Sequence, residues 1–157
     1  MTLIAALEAV RDSPVGHIIN ASNHMVGAFT QVVHVLGFVL LLASVVLINL
    51  RLVGWAFRAQ RVPDVAVDLR RLILIGLAMT VLSGTLMFCA SPLLYYRNPA
   101  FLVKMVLLLG AVLLQYTLYR RVTGQDAPAA GLARGAAAAS LLLWLGVGAA
   151  GRTIGLL

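Results

Sequence analysis

The sequence predicts an all-α integral membrane protein: a four-helix up-down bundle with an amphipathic N-terminal segment lying in the membrane interface. Three observations carry this. Of 157 residues, 62% are hydrophobic and 11% charged, whereas a soluble domain runs to about half apolar and a quarter charged. Four apolar runs are each long enough to cross about 30 Å of hydrocarbon, which takes roughly 20 helical residues. The arginines cluster at the ends of those runs, as membrane topology requires. The length is that of one domain. An ordinary cytosolic enzyme is excluded, and so is a disordered chain, which would be polar and charged. The mean hydropathy of +1.00 makes the lipid bilayer the first partner.

Taken in order, residues 1–25 form the interfacial segment, and the spans cover about 26–50, 72–94, 101–119 and 135–156, all in one membrane domain. In the first segment Leu3, Ile4, Leu7 and Val10 recur at helical spacing, with Glu8, Arg11 and Asp12 between them. Asp12-Ser13-Pro14 marks a break or a new helix start. The segment lacks the basic start and cleavage pattern of a secretory leader, so the first span is expected to be retained. Pro92 and Pro99 delimit the short connection between spans two and three. Short connections favour antiparallel neighbours, hence an up-down bundle.

The formal charge of +7 comes from 12 Lys+Arg against 5 Asp+Glu. Arg51, Arg58, Arg61, Arg70 and Arg71 lie between spans one and two, and Arg120, Arg121 and Arg134 between spans three and four. The positive-inside rule places both loops in the cytoplasm and both termini in the periplasm. The charge is thus topological, and no nucleic-acid partner is expected. Asn49 and Arg51 are expected to cap and anchor the inner end of span one.

Inside a membrane every polar side chain needs a reason. His34 lies about eight residues into span one, roughly 12 Å below its outer edge. Lys104 and Met105 lie about one turn inside span three, entering from the same side. Met87 and the single cysteine, Cys89, are near the outer end of span two, and Arg152 is near that of span four. If these faces converge they form one outward-opening pocket. Imidazole and thioether are axial ligands of haem iron; they are also soft copper ligands. His34, Met87 and Met105 are therefore candidate ligands, with His24 a candidate lid ligand from the N-terminal segment. Lys104 and Arg152 would hold haem propionates, a quinone or an anionic partner. The bland alternatives are a hydrogen-bonded membrane histidine, methionines that fill core gaps, cations that snorkel to the interface, and no cofactor at all.

Span four carries small residues at Gly135, Ala139, Gly146, Ala150, Gly151 and Gly155. Gly146-xxx-Ala150 and Gly151-xxx-Gly155 follow the spacing that lets membrane helices approach closely. They serve packing within the bundle or a seam against another subunit, with Trp144 a large anchor at either contact. No phosphate-binding glycine loop, metalloprotease helix or nucleophilic triad is present. A freestanding hydrolase or nucleotide enzyme is therefore not expected. What remains is a small membrane subunit with haem b electron transfer or copper handling in its outer half, working with membrane or periplasmic subunits or as a homo-oligomer. The alternatives are a cofactor-free anchor or structural subunit, and a transporter of copper or a small solute.

Several stretches carry a resemblance. They are His34-Val35-Leu36-Gly37, Asn49-Leu50-Arg51-Leu52-Val53-Gly54, Asn98-Pro99-Ala100-Phe101-Leu102-Val103-Lys104-Met105, and Ser140 to Val147 followed by Ala150-Gly151-Arg152. Together they resemble an uncharacterised bacterial family of small four-helix inner-membrane proteins, over nearly the whole chain. That family has an aspartate where this chain has Asn49. The resemblance implies the fold and a bacterial inner-membrane location, and it brings no activity with it. More distantly, the His-bearing first span and the Asn-Pro-x-Phe-x-x-Lys opening of span three look like copper-resistance membrane proteins. The four-helix plan is similar to small b-type cytochromes, which hold haem on histidines from facing helices; here His34 alone lies within a span.

Overall fold

The computed structural model describes residues 2–21, 24–126 and 128–156, with the side chains of Asn20, Ala21 and His24 outside the described set. Two short helices come first, α1 (Leu3–Arg11) and α2 (Pro14–Ala21). Ser13 makes the corner: its hydroxyl donates to the Val10 carbonyl at 2.6 Å and accepts from the Gly16 amide at 3.3 Å, and Pro14 opens the next helix where a missing N–H costs nothing. Both helices lie across the end of the bundle, against α4 and the short α5 defined below. The segment expected at the interface is thus a folded cap on what we call the N-terminal end.

The long helices follow. They are α3 (His24–Leu52), α4 (Val62–Ala90), α6 (Pro99–Leu114) continuing through a π-helical turn (Gln115–Tyr119) into α7 (Arg120–Thr123), and α8 (Ala130–Thr153); α5 (Pro92–Arg97) connects α4 to α6. Four of these rods are long and apolar enough to cross a membrane. Their outward faces carry Phe29, Leu36, Leu82, Val106, Leu113 and Leu142, all exposed. An apolar surface that surrounds the molecule belongs in lipid. The all-α four-helix membrane bundle is the fold.

Helix α4 begins at Val62 rather than near Leu72. Its 29 residues reach about 43 Å at 1.5 Å per residue, more than the hydrocarbon requires. The first turns, with Pro63, Asp64, Asp68, Arg70 and Arg71, are helix outside the apolar layer. A search for uninterrupted hydrophobicity finds the apolar part of a helix, not its start. At the other end of this connection Gly54 takes φ +79°, the left-handed turn that ends α3 without a Cβ penalty. Asn98 caps α6: its side-chain oxygen accepts from the Ala100 amide at 3.0 Å, and its amide nitrogen donates to the Ile154 carbonyl at 3.1 Å, tying α6 to the end of α8.

The bundle is two close pairs joined edge to edge. α3 packs on α4, α6 on α8, and α8 also on α3, while α4 and α6 do not pack closely against each other. The buried core runs through Leu41, Val45, Ile48, Tyr119, Ala133, Ala136, Ala137 and Trp144. Asn49 is a member of that core rather than a cap. It is buried and accepts a hydrogen bond from Tyr119 Oη at 2.9 Å. Arg51 ties down its end of the helix by donating from Nε to the Gln60 carbonyl at 2.7 Å. At this arginine-rich end Arg61 grips Asp126 through both carboxylate oxygens, at 2.6 and 2.7 Å, so the two basic loops are on one side.

Candidate functional site

The contact between α3 and α4 is set by glycine. A Cβ on Gly37 would lie 2.6 Å from the Met79 Cβ, and one on Gly76 would lie 2.6 Å from the Gly37 carbonyl oxygen and 2.7 Å from the Leu41 nitrogen. Only hydrogen fits at those two positions, and the backbones meet directly. About one turn towards the N-terminal end from Gly37, His34 enters this seam. Its ring rests against Gly84, where a Cβ would be 3.0 Å from Cε1. Gly84 makes the room that the imidazole occupies.

The ring has a partner on each nitrogen. Nδ1 is 3.1 Å from Ser83 Oγ, and Nε2 is 3.3 Å from Lys104 Nζ. The tautomer follows from the serine. Ser83 donates its hydroxyl proton to the Met79 carbonyl at 2.5 Å, so its oxygen accepts from Nδ1–H. Nε2 then carries the lone pair and accepts from the Lys104 ammonium, which has no lone pair of its own. Lys104 reaches in from α6 with its stem along α8: a Cβ on Gly151 would lie 3.4 Å from Nζ and 3.5 Å from Cε. α3, α4 and α6 each contribute a side chain, and α8 contributes the groove.

Charge and access complete the geometry. Among the described residues the ion pairs are Arg11–Asp12 and Arg61–Asp126, both exposed, so Lys104 sits half-buried with no carboxylate opposite it. About one turn nearer the N-terminal end, Phe88 from α4, Tyr95 from α5 and Phe101 from α6 form an aromatic cluster. Phe88 and Phe101 stack at 5.7 Å, and Tyr95 lies 5.3 Å from Phe101. Burial among these rings raises the Tyr95 phenol above its ordinary pKa. At the end of the molecule beyond, the Arg11 side-chain hydrogen bond holds the Asp12 carboxyl below its ordinary value.

A model of a family of unknown function, DUF6644, matches residues 6–157. The chain belongs to DUF6644. Among curated proteins and solved structures no significant match is found. Membership brings no activity with it, so the family's function has to be read from its sites.

Of the residues expected to converge, His34 and Lys104 meet, and Gly151 supports Lys104. Met87 lies one turn beyond Ser83 on the same face of α4 and is half-buried, as is the free thiol Cys89. Met105 is 43% exposed, pointing away from the neighbouring Lys104. Arg152 is exposed, and the His24 side chain lies outside the described residues. Among the described residues no group of three or more His, Cys, Asp or Glu is placed to hold a metal ion. In span four, Gly146 faces Leu107 of the same chain, where a Cβ would lie 3.2 Å from Cδ1. Trp144 is 2% exposed, inside the chain's own core. Ala150 is half-buried and Gly155 is exposed.

Two residues, Ser83 and Gly84, and one contact, Gly37–Gly76, do not emerge from the sequence alone. A signal existed. Gly76, Thr80, Ser83 and Gly84 recur at helical spacing in span two, the same small-and-polar stripe that draws attention in span four.

Proposed function

We propose that this protein is a small multi-pass subunit of a bacterial inner membrane, termini periplasmic, with a redox or metal centre at His34. Haem b is the leading occupant and copper its close variant. The observation that carries this reading is the orientation of the imidazole. A histidine that ligates a metal commonly donates its other ring N–H to a fixed acceptor, which sets the tautomer and aims the lone pair. Ser83 does this for His34, and the Nε2 lone pair meets a cation, the Lys104 ammonium. A metal at Nε2 would displace that ammonium, leaving Lys104 free for a propionate or another anionic group. Met87, one turn from Ser83, is the better placed of the two methionines for a second ligand. The glycine seam leaves no room for a macrocycle between α3 and α4, so entry is from the α6 side. When bound, the group would supply one-electron chemistry; the chain supplies an aimed nitrogen, a mobile cation and a neighbouring aromatic cluster.

A reduced-minus-oxidised visible spectrum of the purified protein in detergent tests this, with bathocuproine competition for copper(I) in parallel. Soret and alpha bands that vanish in His34→Ala support haem. Copper(I) retention that vanishes in the same variant supports the close variant. Neither signal, or either one unchanged in His34→Ala, overturns the centre. One observation favours a second reading: Nε2 already has a partner in Lys104, which makes the cluster self-sufficient as a polar clasp between helices. The protein would then be a cofactor-free anchor or structural subunit of a larger assembly. Its contacts would be the α1–α2 cap and the lipid-facing helix surfaces, and substitutions there would release co-purifying subunits while the visible spectrum stayed flat.

A further inference from the structure

A second polar region lies deeper in the bundle, towards the arginine-rich end. Gln115 follows Lys104 by eleven residues, just past the end of α6, about 16 Å along the helix. Here the helix loosens into the π-helical turn of Gln115–Tyr119, a distortion frequent at functional positions. Beside it is a cavity of about 240 Å³ between α4 and α6, the pair that does not pack closely. Its wall is Ile73, Leu77, Val112, Gln115, Tyr119 and Trp144, with Arg70 and Arg120 also in its lining.

The wall is chemically unfinished. Trp144 Nε1 and Gln115 Oε1 are both buried without a hydrogen-bond partner, and the Trp144 side chain is 2% exposed. Asn49 Nδ2, beside the wall residue Tyr119, and Ser140 Oγ, one helical turn from Trp144, are in the same condition. These four are the buried orphan polar atoms among the described residues, and all belong to the helices around this one cavity. Buried polar groups in native proteins find partners, and these four find none within the described protein. The arginines have no carboxylate within ion-pair distance among the described residues.

We propose that this cavity is a binding site for a lipid-soluble quinone. The ligand needs a carbonyl oxygen to accept from Trp144 Nε1–H and an otherwise apolar body to match the wall. In its reduced form it also carries a hydroxyl that donates to Gln115 Oε1. An acyl chain meets the apolar wall and leaves both polar atoms unpaired. A cavity of about 150 Å³ takes up benzene, so the larger volume here accommodates a substituted ring. The gap between α4 and α6 admits the ring from the bilayer and lets its tail trail outwards. Arg70 and Arg120 add N–H donors for a second ring oxygen. Binding at this cavity is independent of whether His34 holds a cofactor.

The chain has two tryptophans, and Trp55 is 78% exposed. Trp55→Phe therefore leaves Trp144 as the sole reporter in the wall. Decyl-substituted benzoquinone, titrated into this variant at fixed detergent, is expected to quench its emission saturably. Gln115→Leu should raise the half-saturating concentration of the corresponding quinol, whose hydroxyl donates to Gln115 Oε1, at least fivefold while leaving that of the quinone within twofold. Val112→Phe, which fills the cavity without removing a polar group, should abolish saturation, with circular dichroism verifying that both variants are folded. Quenching that rises linearly with quinone and is unchanged in both variants overturns the proposal and leaves trapped water as the partner of the orphan groups. A saturable emission change with phosphatidylglycerol that quinone neither reproduces nor competes away overturns it in favour of a lipid site. Neither result depends on the visible spectrum that tests the His34 centre.

Discussion

Gly76→Ala is the substitution whose cost the geometry fixes most closely. The added Cβ would lie 2.6 Å from the Gly37 carbonyl oxygen, 2.7 Å from the Leu41 nitrogen and 2.9 Å from the Leu41 Cβ. Two of these are backbone atoms on the opposite helix, which no rotamer change can move. Ordinary contact begins near 3.4 Å, so α3 and α4 must separate by about 0.8 Å locally, a gap that forfeits roughly a quarter to a half of each pairwise attraction along the seam. Overpacking of this kind costs about 1–3 kcal/mol. The helix propensity of alanine over glycine returns at most about 1 kcal/mol. The expected net loss is about 1–2 kcal/mol, a factor of about 5–30 in the folded-to-unfolded ratio. SDS titration in mixed micelles, followed by circular dichroism, measures it. Gly27→Ala and Gly135→Ala are the controls, because a Cβ at either position meets nothing within 4 Å, and they should be neutral or mildly stabilising. If Gly76→Ala unfolds at the same SDS fraction as Gly135→Ala, the two helices are not in backbone contact and the seam argument fails.

Four further outcomes follow from the same packing. Nitrogen-15 spectra should show His34 with Nδ1 protonated and Nε2 bare; Ser83→Ala should lose that preference and about 1 kcal/mol of stability, and a ring protonated on Nε2 in the parent protein would refute the serine's role. Tyr119→Phe should cost about 1–3 kcal/mol, because it leaves Asn49 Oδ1 buried and unpaired, with Asn49→Leu in the same chain recovering part of the loss; an unchanged unfolding midpoint for the single variant would contradict the pairing. Arg61→Gln should shift the unfolding midpoint by less than the equivalent of about 1 kcal/mol, since its partner Asp126 is as exposed as the arginine; a larger shift would make this pair a structural clamp. In a spectrophotometric titration, the parent-minus-Tyr95→Phe difference should place the Tyr95 phenol above its ordinary value. The fold then favours the neutral phenol, so this contribution to stability is present below the ordinary tyrosine pKa and is lost as pH rises through the folded-state value; ionisation at or below the ordinary value would refute the burial.

The bundle was legible because lipid imposes one rule on every residue of a span, and that rule is written in composition. Helix ends were less legible where two physical effects overlap. Asp64, Asp68, Arg70 and Arg71 interrupt hydrophobicity but not helix, so the sequence hides ten residues of α4 inside an apparent loop. The pairing of His34 with Lys104 was half visible: both stand out as polar residues at similar depth, and only rotation about each helix axis decides whether they meet. Ser83 stayed hidden because a serine that bonds its own preceding turn is ordinary in a membrane helix; its second role needs the neighbour in view. Asn49 is hard to place from sequence for the opposite reason. Its place near a helix end suggested a cap, while its partner, Tyr119, comes from a distant span and is turned inwards beside the π-helical turn.

The two polar regions share one structural cause. Glycines at 37 and 76 press α3 against α4, and Asn98 and Gly151 hold α6 against α8. Having closed on their own partners, α4 and α6 leave a gap between them, bridged by Phe88, Tyr95 and Phe101 near the N-terminal end. The His34–Lys104 contact and the cavity beside Gln115 and Trp144 both involve α6 and the interior that this gap reaches. Because the α3–α4 seam is shut, the routes left are from the bilayer between α4 and α6, past the aromatic trio or, for the cavity, from the arginine-rich end where Arg70 and Arg120 line it. The shut seam also keeps Ser83 within reach of His34 Nδ1, and in the proposed centre that pre-orientation would lower the ordering cost of ligation. Gly84→Ala, whose Cβ would lie 3.0 Å from the His34 Cε1, should weaken ligand retention at the proposed His34 centre more than it weakens binding in the cavity, whereas a bulky residue at Val112 should do the reverse. Two sites that respond to opposite perturbations are separable, and that separability distinguishes a protein with two binding regions from a single continuous polar channel.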